Sequence, residues 1–172
     1  VVPAQLANRS VESALRLALV RDELVLHYQP KVAVDSGRIV GLEALVRWHH
    51  PTRGLVPPGE FIPLAEERGL IVPLGRWVVQ QACRQIRDWR TTGLQPPPVA
   101  VNLSARQFAD DHLVDHLVAS MNAYGVTSAD IEVELTESVL MSDPERANGV
   151  LRRLHQMGVR IAIDDFGTGY SS

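Results

Sequence analysis

Oxygen-bearing side chains recur along this sequence at Glu43, Asn102, Glu134, Glu137, Asp164 and Asp165. Each falls within or just after a stretch that reads as a β-strand. Carboxylates gathered in one pocket repel one another, and some must take up protons unless a cation is present. A divalent ion removes that cost. The ligands on offer are all oxygen, which suits Mg²⁺ or Mn²⁺ and disfavours zinc. Asp164 and Asp165 are adjacent, so one carboxylate could bridge two ions about 3.5–4 Å apart, the arrangement used in phosphate-ester hydrolysis. Taken singly, such residues are most often helix caps or surface charges. Asp143 before Pro144 reads as a cap, Glu137 is open to the same reading, and Asp164-Asp165 before a glycine-rich loop fits simple turn chemistry. Their recurrence on consecutive strands is what favours a shared site.

The elements that must position this set follow from periodicity and punctuation. Leu15, Leu19 and Val20 give a helical face, whereas residues 1–10 lack periodicity and read as a linker. Strands are expected over 24–34 and 39–48, joined by the turn Asp35-Ser36-Gly37 as an antiparallel hairpin. Pro57-Pro58-Gly59 opens a helix with Pro63 in its first turn, and Gly69 ends it. A long amphipathic helix over 74–89 closes at Gly93 and Pro96-Pro97-Pro98. Strands over 99–103, 131–136 and 159–163 then alternate with helices over 113–124 and 144–157. Such alternation argues for a parallel sheet with right-handed crossovers. An open doubly wound sheet gathers ligand contacts near one switch point, while a barrel draws residues from several strand ends at one rim. The even spread of Glu43, Asn102, Glu134 and Asp164 favours the barrel.

Composition excludes other classes. The 172 residues carry a net charge of −3 and no basic block, so a nucleic-acid polymer is not an expected partner. Apolar runs are broken by charge well short of a membrane span. Cys83 is the single cysteine, which rules out a disulfide framework and reads as a buried inert thiol. These features point to a cytoplasmic setting. His112 and His116 have helical metal-pair spacing, but with Asp111 and Asp115 beside them they read as a solvated helix face. His49-His50 reads as a loop. No nucleophile elbow, P-loop or dinucleotide fingerprint occurs.

Several motifs together resemble the EAL domain family. Glu43-Ala44-Leu45-Val46-Arg47-Trp48 is similar to the signature that names it, and Tyr28-Gln29-Pro30 to its first-strand motif. Phe61-Ile62-Pro63-Leu64-Ala65-Glu66, Asn102-Leu103-Ser104 and Glu134-Leu135-Thr136-Glu137-Ser138 follow in family order. The stretch from Asp164-Asp165-Phe166-Gly167 to Ser172 matches the loop 6 motif.

The resemblance implies an α/β fold, a TIM-like (β/α) barrel with an antiparallel first strand, here expected to stop after about five strands. It implies hydrolysis of cyclic di-GMP to linear pGpG with two Mg²⁺ or Mn²⁺ ions, in bacterial second-messenger signalling. By that likeness Glu43, Asn102, Glu134 and Asp164 hold the first ion, with Asp164 shared and Asp165 on the second. Gln29, the backbone near Leu45, and Arg47 are expected to hold the nucleotide, and Glu137 to anchor loop 6. Residues 11–172 are then an incomplete EAL domain, expected to be inactive alone because the family's later lysine and glutamate are absent. Implied partners are cyclic di-GMP, an upstream diguanylate-cyclase-like or sensor domain, and a second copy in a homodimer of the parent. The alternative is a non-catalytic cyclic di-GMP receptor or interaction domain.

Overall fold

A computed structural model describes residues 4–164, with the side chains of residues 4–10, 137, 138 and 164 outside the described set. Helix α1 (Ala4–Ala18) precedes a hairpin of β1 (Leu24–Val32) and β2 (Ile39–His50). The hairpin is antiparallel, as its turn demands, and Gly37 takes the left-handed conformation at φ 67° that a β-carbon would oppose. The strand β3 (Gly54–Val56) folds back on the end of β2. Helices α2 (Pro58–Glu67) and α3 (Ile71–Thr91) follow. Next come β4 (Val99–Asn102), α4 (Ala105–Phe108), α5 (Leu113–Tyr124), β5 (Ile131–Thr136), α6 (Glu137–Ser142), α7 (Pro144–Gln156) and β6 (Arg160–Asp164).

The sheet runs β1-β2-β4-β5-β6, with β2, β4, β5 and β6 mutually parallel. It is not closed among the described residues. Along β4 and β5 the side chains alternate. Val99, Val101, Ile131, Val133 and Leu135 are buried in one cluster with Ile86 of α3, Leu117 of α5 and Leu154 of α7. Ala100, Asn102, Glu132, Glu134 and Thr136 take the opposite face, since successive side chains on a strand point to opposite sides. A second core joins Leu15 and Ala18 of α1 to Trp48, Val56 and Phe61, with the Trp48 and Phe61 rings edge-to-face at 5.7 Å.

Two expectations are corrected. Residues 4–10, read as lacking helical periodicity, are the opening turns of α1, and residues 1–3 lie outside the described set. Pro63 sits inside α2 rather than in its first turn, because the helix begins at Pro58. Burial of Phe61, Leu64 and Ala65 on that helix offsets the hydrogen bond a proline forgoes. All five expected strands are present, and the described residues add the short β3, because β2 runs on to His50 and pairs with it.

Candidate active site

Glu43 lies within β2 and not at its end, since the strand runs on for seven more residues to pair with β3. Its register partner on β4 is Ala100, so Asn102 stands two residues further along the same face. The two side chains meet: Asn102 Nδ2 donates to Glu43 Oε1 at 2.8 Å. That bond commits the amide nitrogen to Glu43, so the amide oxygen is the atom Asn102 would present to a cation. Asn102 is directly opposite Glu134 on β5, and Thr136 is opposite Asp164 on β6. Alternation therefore assigns the positions of Glu43, Asn102, Glu134 and Asp164 to one face of the sheet.

A lysine from β1 reaches the same carboxylates. Lys31 Nζ donates to Glu132 Oε1 at 2.6 Å and also to Glu134 Oε1. β2 and β4 lie between β1 and β5, which in a flat sheet would set the strands about 14 Å apart. The contact therefore needs a concave face, the curvature of a barrel wall. It also needs room, and the sequence supplies it. Gly41 is the register partner of Lys31, and a β-carbon there would stand 3.4 Å from Lys31 Cδ. Ala100 is the small residue on the next strand. Burial pulls the Lys31 ammonium down, but its bonds to Glu132 and Glu134 and their charges outweigh that and raise it above an ordinary lysine. Glu134 itself is buried at 8% exposure, one of two buried polar residues with Gln107 among those described.

Beside this set opens a cavity of about 520 Å³, lined by Leu45, Arg47, Ile62, Glu66, Asn102 and Glu134 among others. That volume lies in the range of small-molecule sites, about 300–1,000 Å³. Arg47 lines it, and its guanidinium donates to the Val46 carbonyl at 2.8 Å, which leaves other N–H groups of the fork free of that bond. Gln29 is the register partner of Glu43 on β1 and sits on the same face. The floor of the cavity is held by a reciprocal cap. The Ser104 N–H donates to Gln107 Oε1 at 2.9 Å while Ser104 Oγ accepts from the Gln107 N–H. Gly75 of α3 makes space for this, since a β-carbon there would lie 1.7 Å from Gln107 Nε2.

The structure thus brings together Glu43, Asn102, Glu134, Gln29, Leu45 and Arg47. Glu137 is the first residue of α6, with its side chain outside the described residues. Asp164 ends β6, likewise without a described side chain, and Asp165 and the glycine-rich loop lie outside the described residues. Among the described residues no three His, Cys, Asp or Glu side chains form a metal cluster. Two carboxylates and an amide oxygen do suit a hard divalent cation by donor type. Sequence reading missed Lys31 and Glu132. The alternation Ile131-Glu132-Val133-Glu134 carried a signal for Glu132, whereas nothing local marks Lys31, which lies 101 positions away from it. Asp143 is a helix cap, accepting from the Arg146 N–H at 3.1 Å. Cys83 is fully buried, and burial first, then the charge of Asp130, pushes its thiol up to about 12.

Residues 12–172 match the model of the EAL domain. The chain is 51% identical over 158 residues to the bifunctional diguanylate cyclase/cyclic di-GMP phosphodiesterase MucR of Pseudomonas aeruginosa, covering 92% of this chain and 23% of that protein. It is 49% identical over 162 residues to the cyclic di-GMP phosphodiesterase PdeR of Escherichia coli, covering 94% and 24%. The chain therefore spans about a quarter of the length of these relatives. A solved structure of the PaMucR phosphodiesterase in complex with c-di-GMP superposes with a TM-score of 0.88 at 49% identity, covering 95% of this chain and 66% of that one.

Proposed function

This chain belongs to the EAL domain family, and from that premise we propose that the protein carrying it hydrolyses cyclic di-GMP to linear pGpG with the help of two Mg²⁺ or Mn²⁺ ions. The observation that carries the reading is the hydrogen-bonded pair of Glu43 and Asn102 beside Glu134, on one concave face next to a cavity lined by Leu45 and Arg47. The likeness to the PaMucR phosphodiesterase in its c-di-GMP complex supports the choice of substrate.

Glu43, Asn102 and Glu134 would hold one ion with Asp164, and Asp165 would serve the second. When bound, the ions would activate water and offset the charge that develops at phosphorus. Asn102 keeps the Glu43 carboxylate turned toward the shared face through its amide nitrogen. Arg47 would take a phosphate by its planar fork, a geometry that lysine cannot reproduce. Gln29 and the backbone at Leu45 would orient the nucleotide, and Glu137 would steady the loop after Asp165. The setting we assign is the cytoplasm; among the described residues no helix is long and apolar enough to cross a membrane. A cyclase-like or sensor domain upstream and a second copy of the protein are the partners we assign, in keeping with the bifunctional MucR relative.

The test is turnover in the full-length protein. Glu43→Ala should abolish Mg²⁺- or Mn²⁺-dependent release of pGpG and leave the unfolding midpoint without metal unchanged or higher, because one mutually repelling carboxylate is gone. Wild-type turnover by that variant would overturn the assignment. A wild-type protein that binds cyclic di-GMP without cutting it would instead establish a receptor.

A further inference from the structure

We infer that Lys31 competes with the bound cation for Glu134, and that Glu132 sets the strength of this competition by offering the ammonium a second home. The inference rests on the reading of Glu134 as a metal ligand. Lys31 Nζ donates to Glu132 Oε1 at 2.6 Å and to Oε1 of Glu134 as well. Glu132 and Glu134 are two apart on β5 and so share a face, with side chains 20% and 10% exposed. The ammonium stands between them. Any positive charge placed on Glu134 must share that carboxylate with Lys31 and repel it. Glu132 lies further from the rim, toward the start of β5, and no reading of the site uses it as a ligand. It offers Lys31 an acceptor that costs the metal site nothing.

This arrangement is more than a tie between strands. A tie needs one carboxylate, and Glu132 would supply it. The second bond goes to the residue on which the cation site depends, through a corridor kept clear by Gly41 and Ala100. Lys31 acts here as a positioning residue, since it touches no substrate.

Two substitutions have opposite expected signs. Lys31→Met keeps an unbranched apolar chain of similar length and removes the competing charge, so Mn²⁺ should bind tighter by about three-fold or more. Glu132→Gln removes the rival acceptor and leaves Lys31 to Glu134, so Mn²⁺ should bind weaker by a similar factor. The probe is Mn²⁺ alone, titrated into the full-length protein and followed by the loss of the free-ion electron paramagnetic resonance signal, with no substrate present. A purely structural role would lower the unfolding midpoint of both variants and leave Mn²⁺ affinity unmoved. Unchanged affinities in both variants, or changes in one direction for both, overturn the inference while the metal reading stands. A wild-type protein that binds no Mn²⁺ overturns the metal reading and this inference with it. Should Lys31→Met fail to fold, the sign measured for Glu132→Gln decides alone.

Discussion

At Gly75 a single missing methyl group supports the floor of the cavity. Glycine within a helix ordinarily costs about 1 kcal/mol relative to alanine, so Gly75→Ala should stabilise α3 if nothing stood in the way. Gln107 stands in the way, its Nε2 1.7 Å and its Cδ 2.7 Å from the new β-carbon. The Gln107 side chain cannot swing aside without giving up its bond to the Ser104 N–H, one half of the cap that follows Asn102. Losing a partly buried bond of that kind, with the shift of backbone needed to relieve the clash, costs about 1–3 kcal/mol, more than the propensity returns. Gly75→Ala is expected to lower stability and to weaken ligand binding at the adjacent Asn102. Gly75→Ala and Gln107→Ala should be less than additive when combined, because each alone already gives up the bond to the Ser104 N–H. Chemical denaturation of the three proteins checks this; a single variant as stable as the wild type would contradict it.

Among the elements, the entry to β5 depends on a charge at its mouth. A short 3-10 turn at Ser128–Asp130 precedes the strand that carries Glu132 and Glu134. The Asp130 carboxylate accepts from Thr127 N and Thr127 Oγ1, each at 2.8 Å, and from Arg90 in the last turn of α3 at 2.5 Å. Burial would raise this carboxyl, but the bonds from Thr127 and Arg90 outweigh it and hold it below the usual range. A carboxyl depressed by folding contributes stability above its unfolded value, near pH 4, and loses it as pH falls through the lower folded value. Asp130→Asn should therefore cost about 1–2 kcal/mol at pH 7, since charge-assisted bonds become neutral ones. The gap between variant and wild type should narrow below about pH 4 and close at still lower pH. Unfolding midpoints measured from pH 2 to pH 7 test this, and a gap independent of pH would show that the charge does not matter. At the same scale the cap at Asp143 was legible beforehand because its signal is local.

For the molecule as a whole, the open sheet is the dominant feature. β1 and β6 end the strand order, each with no partner on its outer edge among the described residues. Val32, Val34, Ile39 and Val40 are exposed around the hairpin tip, and Ile163 is 44% exposed on β6. Unpaired strands with β-branched side chains invite pairing with another chain. The matched PaMucR structure is longer, and this chain covers 66% of it. The 172-residue chain by itself is accordingly expected to show no cyclic di-GMP hydrolysis and to self-associate. Sedimentation and a pGpG assay check both expectations. Adding, as a second polypeptide, the part of the PaMucR structure that this chain does not match should restore turnover if the account is right. A monomeric, cooperatively unfolding and active chain would sink it.

The sequence alone determined the antiparallel hairpin, the parallel alternation and the placing of Glu43, Asn102 and Glu134 on consecutive strands. These follow from period-two patterning, turn residues and helix punctuation, all read over a few positions. The resemblance in six motifs determined the family. Only the tertiary structure decided that the strand carrying Glu43 runs on to His50, because that extension depends on pairing with β3. Helicity of residues 4–10 also escaped the pattern, since packing of Leu15 and Ala18 against Trp48 and Phe61 stabilises the helix from its far end. The ion pair of Lys31 with Glu132 and Glu134 was invisible for the same reason. It spans more than a hundred positions and two intervening strands, and neither Gly41 nor Ala100 announces the corridor it needs until the sheet curves. Local propensity acts between neighbours in sequence, whereas the charge balance of a site is set by whichever strands the curvature brings within reach.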